Sequence, residues 1–245
     1  MRSEDYCVCK CNVDFDKIVK AITKSVREDL PDYRIKNHNT TNNATNYILQ
    51  DIMNTNVDLV LGEVGFKKII FRRGSWNIIF WYDRTNKIAL SVMPINKYNR
   101  VKKHESMTHY IKVLVEVQNR NIIPKSEQLC LFTDPDYEIK HGELRDGIFQ
   151  KISGDAQEIL MECQHGIITY LFDGDDVNNI DYILPSYDFG TYDKKSLNEY
   201  IEPNLMTMDN DSGIISESVK RMETSYRKPI ITMKADLLSH KVKGD

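Results

Sequence analysis

The stretch KKIIFRRGSWNIIFWYDRTNKIALSVM, from Lys67 to Met93, constrains the fold more than any other part of the chain. Arg73-Gly74-Ser75 and Asp83-Arg84-Thr85-Asn86 are turn chemistry. The runs they separate, at 67–72, 76–82 and 87–93, are dominated by β-branched and aromatic residues. An antiparallel meander follows. Its middle run, WNIIFWY, is apolar at odd and even positions alike, so helices should cover one face and the other should be at least partly covered.

The helices to do this are legible on both sides. Asp14 opens an amphipathic segment whose apolar residues Phe15, Ile18, Val19, Ile22 and Val26 follow the 3.6 period, and Pro31 marks its expected exit. RIKNHNTTNNATN reads as a loop. A second helix is expected over residues 46–61, with Tyr47, Ile48, Ile52 and Met53 on one side. After Pro94, NKYNRVKKHES reads as a basic linker, and a helix over 106–119 presents Met107, Ile111, Leu114 and Val115 to the core.

Further on, EQLCLF suggests a short strand and EIKHGELRDGIFQKI a helix weakened by Gly142 and Gly147. The runs within AQEILMECQHGIITYLFDGDDVNNIDYILPS form a second meander, free to join the first in one sheet. From Gly190 the periodicity fades, with one helix expected near 216–226. The expectation is one α+β domain over residues 1–189, its antiparallel meanders packed against N-terminal and central helices. A less ordered or partner-dependent segment, 190–245, follows.

Charge is distributed unevenly along this scaffold. From 67 to 103 the cations are Lys67, Lys68, Arg72, Arg73, Arg84, Lys87, Lys97, Arg100, Lys102 and Lys103, against the single acid Asp83, a local net charge of +9. Residues 126–211 carry nineteen acids against five bases, net −14, so the overall −3 conceals two opposed halves. Such a pattern calls for a charged partner or for self-association of unlike surfaces. The basic stretch also carries Phe71, Trp76, Trp81, Tyr82 and Tyr98, and cations interleaved with aromatics are the recipe of a nucleic-acid surface. The sequence pI near 6.1 argues against a dedicated nucleic-acid-binding domain.

Catalytic signatures are weaker. Cys7, Cys9 and Cys11 would share a face of an extended strand and could meet a soft metal, but lack the knuckle spacing of structural zinc sites. Cys130 and Cys163 complete an odd set of five, which suits reduced thiols rather than a secreted disulfide framework. His104 and His109 are five apart, about 140° round a helix, and do not form a metal pair. His109 beside Glu105 or Glu116 could act as a base, and Cys163 with His165 could form a thiol–imidazole pair. Asp173-Gly174-Asp175-Asp176 is best read as a hairpin turn, and Glu63 with Lys67 or Lys68 is a generic acid–lysine pairing. Phosphate-loop, nucleophile-elbow, kinase and dinucleotide motifs are absent. No catalytic residue, metal or cofactor is therefore assigned. With no long apolar run and no signal-peptide pattern at the start, a cytoplasmic protein without membrane contact is expected.

Several short motifs occur in a telling order: Asn42 and Asn46, Arg72-Arg73-Gly74-Ser75-Trp76, Tyr82-Asp83-Arg84-Thr85-Asn86, His109-Tyr110-Ile111, and ITYLFDGDDVNNIDYILPSYDF. Together they resemble an uncharacterised family of Firmicutes and phage proteins over about residues 12–200. The resemblance implies a bacterial or phage source, a single α+β unit and no carried-over catalytic residue. It does not take in the cysteine-rich start or the C-terminal tail. The function expected is non-enzymatic binding of a macromolecule, with a protein partner or second copy favoured and host defence or counter-defence suggested by analogy. The surface expected to do this comprises Lys67, Lys68, Arg72, Arg73, Trp76, Arg84, Lys97, Arg100, Lys102 and Lys103. The alternatives are nucleic-acid binding and a metal-dependent nuclease or hydrolase using acids such as Glu63 and Asp83.

Overall fold

The computed structural model describes residues 13–38, 41, 43–104, 106, 108–124 and 135–203. Its described residues up to Glu202 belong to one compact unit. Cys7, Cys9, Cys11, the EQLCLF run with Cys130 and the helix expected near 216–226 lie outside the described residues.

Strands β1 (Lys67–Arg73), β2 (Trp76–Asp83) and β3 (Ile88–Pro94) form the expected meander, and β4 (Gln164–Asp173), β5 (Asp176–Pro185) and β6 (Thr191–Ser196) form the second. They join as one sheet in the order β1-β2-β3-β4-β5-β6. The seam between the halves is a parallel pairing, Ile88↔Gln164 to Pro94↔Tyr170. Parallel neighbours need a long crossover, here supplied by α4 (Ile95–His104), α5 (Tyr110–Gln118), α6 (Pro135–Ser153) and α7 (Gln157–Glu162). The sheet thus runs past the domain boundary expected at 189, because β6 pairs with β5 from Asp181↔Ser196 to Pro185↔Thr191.

Both sheet faces are covered, as the doubly apolar β2 requires. On one face lie α1 (Phe15–Lys24), α2 (Leu30–Asn37) and α3 (Thr45–Glu63), packed on Trp81, Leu90, Ile168, Tyr182 and Leu184. The other face carries Phe80, Ala89, Met93, Ile167 and Ile183 against the crossover helices. Strand alternation explains the split, since neighbours such as Phe80 and Trp81 point to opposite layers.

Two local readings need correction. Pro31 does not end the first helical segment. A π-helical turn at Ser25–Asp29 leads without a break into α2, so the helical backbone continues past Pro31, the second residue of α2. The supposed linker after Pro94 is α4, held by Tyr98 and Val101, which are 3% and 0% exposed. The poor helix formers in NTNVD stay helical because Leu49, Met53, Val57 and Leu61 make a continuous buried stripe, which outweighs propensity. Asn56 also donates to Ser25 Oγ (2.8 Å) and Asp29 Oδ2 (2.6 Å).

The DGDD segment is the β4–β5 turn, with Gly174 at φ 60° supplying its left-handed residue. Its acids hold the helical layer: Asp175 meets Arg34 at 2.6 Å and Asp176 meets Arg27 at 2.7 Å. A polar clamp fixes the opposite end of β4. Asn119 Nδ2 donates to the carbonyls of His165 (2.9 Å) and Pro185 (2.8 Å), while its Oδ1 accepts from His165 N–H (2.7 Å).

Candidate anion-binding cleft

A cleft of about 960 Å³ opens where the parallel strands end, with Pro94 of β3 and Tyr170 to Phe172 of β4 as its floor. The β1–β2 turn contributes Arg73 and Trp76. Around it begin α3, with Asn46 and Tyr47, α4, with Asn96 and Lys97, and α5, with Tyr110 just after its N-cap His109. Carboxyl ends of parallel strands are where open α/β sheets gather ligands, since helix N-termini converge there with unpaired N–H groups and partial positive charge.

The first-turn residues sharpen this electrostatic picture. Acids in a first helical turn are stabilising, and α1, α2 and α7 carry Asp16, Asp32 and Glu158 there. The three helices that start at the cleft carry none. Instead the cleft holds Arg73, Lys97 and Arg100, and Asp51 is the one acid among the described residues lining it.

Arg73 is fixed by its surroundings. Its Nη1 lies 3.2 Å from His109 Nε2, and its guanidinium sits over the Tyr110 ring at 5.6 Å. Since arginine can only donate, Nε2 must accept, which sets His109 as the neutral Nδ1–H tautomer in this arrangement. Tyr110 is buried and its hydroxyl is pushed up to about 12, chiefly by burial. Half-buried Lys97 has its ammonium shifted below the ordinary lysine value, first by burial and then by Arg100 and Arg73. At the mouth, Tyr47 and Trp76 stack with centroids 4.7 Å apart and planes at 28°, yet remain 56% and 53% exposed.

The sequence-derived basic surface is therefore divided. Arg73, Trp76, Lys97 and Arg100 meet in the cleft. Arg72 lies at the same end of β1, its Nε donating to the Gly74 carbonyl at 2.9 Å. Lys67 pairs across to Tyr82 at the other end of the strand, and Arg84 belongs to the β2–β3 turn at that far end. Lys68 is paired with Asp58 at 2.5 Å, and Lys87 with Glu162 at 3.1 Å. On α4, Lys102 donates to Thr191 Oγ1 at 3.2 Å and Lys103 is exposed. Of the aromatics, Trp81, Tyr82 and Tyr98 belong to the core.

Tyr47, expected on one side of its helix with Ile48, Ile52 and Met53, is part of the site. The signal lay in the helical wheel: two residues before Leu49, it falls about 160° round the helix from that first member of the buried stripe. The other candidate pairs dissolve. Cys163 Sγ donates to the Ile159 carbonyl and its thiol is pushed up to about 11, chiefly by burial, while the His165 ring engages Ser91 and Gln118. Glu116 is held by His141 and Arg145, and Glu105 and the His104 side chain lie outside the described residues. Asp83 is buried and accepts from Thr85 N–H, Asn86 N–H and the Asn86 amide, which is turn closure. Glu63 is exposed at the end of α3. Among the described residues no group of three His, Cys, Asp or Glu side chains is arranged to hold a metal, and no helix is long and apolar enough to cross a membrane.

No curated protein matches the chain, and no solved structure does. The match to a family model runs through the C-terminal tail, beyond the span suggested by the motif order, and begins just before Cys11. From residue 10 to residue 244, the chain belongs to the family of unknown function DUF5986.

Proposed function

We propose that this chain is a binding protein that holds nucleic acid in the cleft at the end of the parallel seam. The observation that carries the reading is the meeting of Arg73, Lys97 and Arg100 with the exposed Tyr47–Trp76 stack, where three helices start without acids. Phosphates suit the cations and the helix N-termini, and bases suit the aromatic faces. The acidic total charge does not oppose this, because the local field at the cleft governs contact.

The test is binding of labelled DNA and RNA, single-stranded and duplex, across a salt series. Three phosphate contacts predict that log K falls with log salt at a slope of about −2 for single strands. Removing Lys97 or Arg100 should flatten the slope by about 0.7. Absence of binding to every nucleic acid at low salt refutes the proposal.

A protein partner, the reading first drawn from the charge pattern, finds support in other atoms. β1 is an edge strand, and Ile70 on it is 55% exposed. An extended acidic segment added alongside KKIIFRR would satisfy its open backbone groups. Capture of such a segment, lost on substituting Ile70 and Arg72 but not Lys97, would favour that reading. The hydrolase alternative has no comparable observation in its favour, since the turn occupies Asp83.

A further inference from the structure

We infer that the cleft takes a single strand, with an unpaired base lying on the outer face of the Tyr47–Trp76 stack and its flanking phosphates against Lys97 and Arg100. This rests on the nucleic-acid reading above and narrows it. The first reason is the stack itself. With centroids 4.7 Å apart the two rings fill the space between them, so a base can use only an outward face. Both rings are more than half exposed, although large aromatics are normally mostly buried. In a duplex, neighbouring pairs cover both faces of each base and leave such a platform without a partner; an unpaired base offers its face freely.

The second reason is shape. The cations line a concave cleft, Lys97 half-buried in its wall and Arg73 and Arg100 exposed around it, whose roughly 960 Å³ matches the upper range of small-ligand pockets. A nucleotide can enter such a space, whereas a duplex would reach only its rim. The third is the polar lining. Asn46, Gln50 and Asn54 follow one another at helical spacing on α3, with Asn77 and Asn96 also lining the cleft. Carboxamides offer a donor and an acceptor together, which is what the edge of an unpaired base requires. Gln50 is already oriented, donating to Asn54 Oδ1 at 3.0 Å and accepting from the Tyr170 hydroxyl at 3.4 Å. The lowered lysine value at Lys97, due first to burial and then to Arg100 and Arg73, agrees, because a phosphate would offset the cost of the buried charge and the repulsion alike.

The test uses the full chain and oligonucleotides of about twelve residues, within the range a single binding fold covers. DNA and RNA are each offered as single strand and hairpin duplex, beside a mononucleotide. Single strands of DNA, RNA or both should bind at least about tenfold tighter than their duplexes. Trp76→Ala should weaken single-strand binding roughly five- to hundredfold and leave duplex binding unchanged, while Trp76→Phe recovers much of the loss. Trp76 is exposed, so folding does not depend on it. Trp81 is buried, so ligand-induced quenching of tryptophan emission should vanish in Trp76→Phe. Lys87→Ala, at the other end of β3 about 20 Å away, should bind as the native chain does.

If duplex binds as tightly as single strand, or Trp76→Ala changes nothing while Lys97→Gln and Arg100→Gln weaken binding, the single-strand inference falls and the nucleic-acid reading stands. A mononucleotide binding as tightly as the oligomer also overturns it, in favour of a small-molecule pocket. Binding of no nucleic acid at low salt overturns both.

Discussion

Acid should destabilise this protein through one histidine, and the size of the effect can be worked from its environment. His165 is wholly buried on β4 under the crossover helices. Gln118 Nε2 donates to the Leu160 carbonyl, which turns its Oε1 toward His165 Nδ1 at 2.6 Å. Nδ1 therefore carries the proton, and Nε2 accepts from the Ser91 hydroxyl at 3.0 Å. The chain is complete when neutral; a second proton on Nε2 would place a charge in the core and leave the Ser91 proton facing a donor. Burial accordingly lowers the imidazole from 6.5 to about 3.

The unfolded chain then binds a proton that the folded chain refuses, so stability is lost as pH falls through 6.5 and the loss levels off near pH 3. At pH 4.5, two units below the unfolded value, the histidine alone removes about 3 kcal/mol. Urea unfolding of the native chain and of His165→Asn at pH 7 and pH 4.5 separates this from the carboxylates, which both share. The variant should be less stable at pH 7 for want of packing and hydrogen bonds. Its deficit should shrink by about 3 kcal/mol at pH 4.5. Parallel pH dependence of the two proteins would refute the argument.

Three further outcomes are expected. Binding of a phosphate-bearing ligand should weaken as pH rises through a value below the ordinary lysine range, and Lys97→Met should remove that limb; titration of affinity at constant ionic strength reads it. Gly166→Ala should destabilise by about 1–3 kcal/mol in denaturant unfolding, because the new methyl would collide with the buried Tyr182 ring and hydroxyl. Asn119→Ala should cost about 3–4 kcal/mol, since it leaves two carbonyls and an N–H of β4 and β5 unpaired in the interior; a loss under about 1 kcal/mol would mean water replaces the amide.

Much of the fold was legible because local chemistry and tertiary role agree in it. Turn residues bound β1, β2 and β3 almost to the residue, and DGDD announces the second hairpin. A β2 apolar at odd and even positions alike required two covering layers, which the helices supply. α4 escaped notice because NKYNRVKKH is polar overall, and its core contacts reduce to a narrow pair, Tyr98 and Val101. The basic stretch was visible as a sum but not as a place. Lys67 and Arg73 are the two ends of one strand, about 20 Å apart at the usual rise per residue, so they face different surroundings although only six positions separate them. The cleft itself is assembled from the ends of β1, β2, β3, β4, α3, α4 and α5, and no short window contains it. Only Tyr47, off the stripe of its own helix, could have announced it.

The parallel seam also bears on how the chain is made. Every other strand pair closes through a short turn, whereas the seam joins residues 76 positions apart, such as Ile88 and Gln164. During synthesis the amino-terminal meander leaves the ribosome first, with β3 as its outer edge. β3 is buried along six of its seven residues in the finished protein. Until β4 arrives, that apolar edge stands open to any strand nearby, the circumstance in which chains aggregate. A chain stopped after α5 would hold the β1–β3 pairings with that apolar edge still open, which makes the crossover the interval in which aggregation competes most with folding.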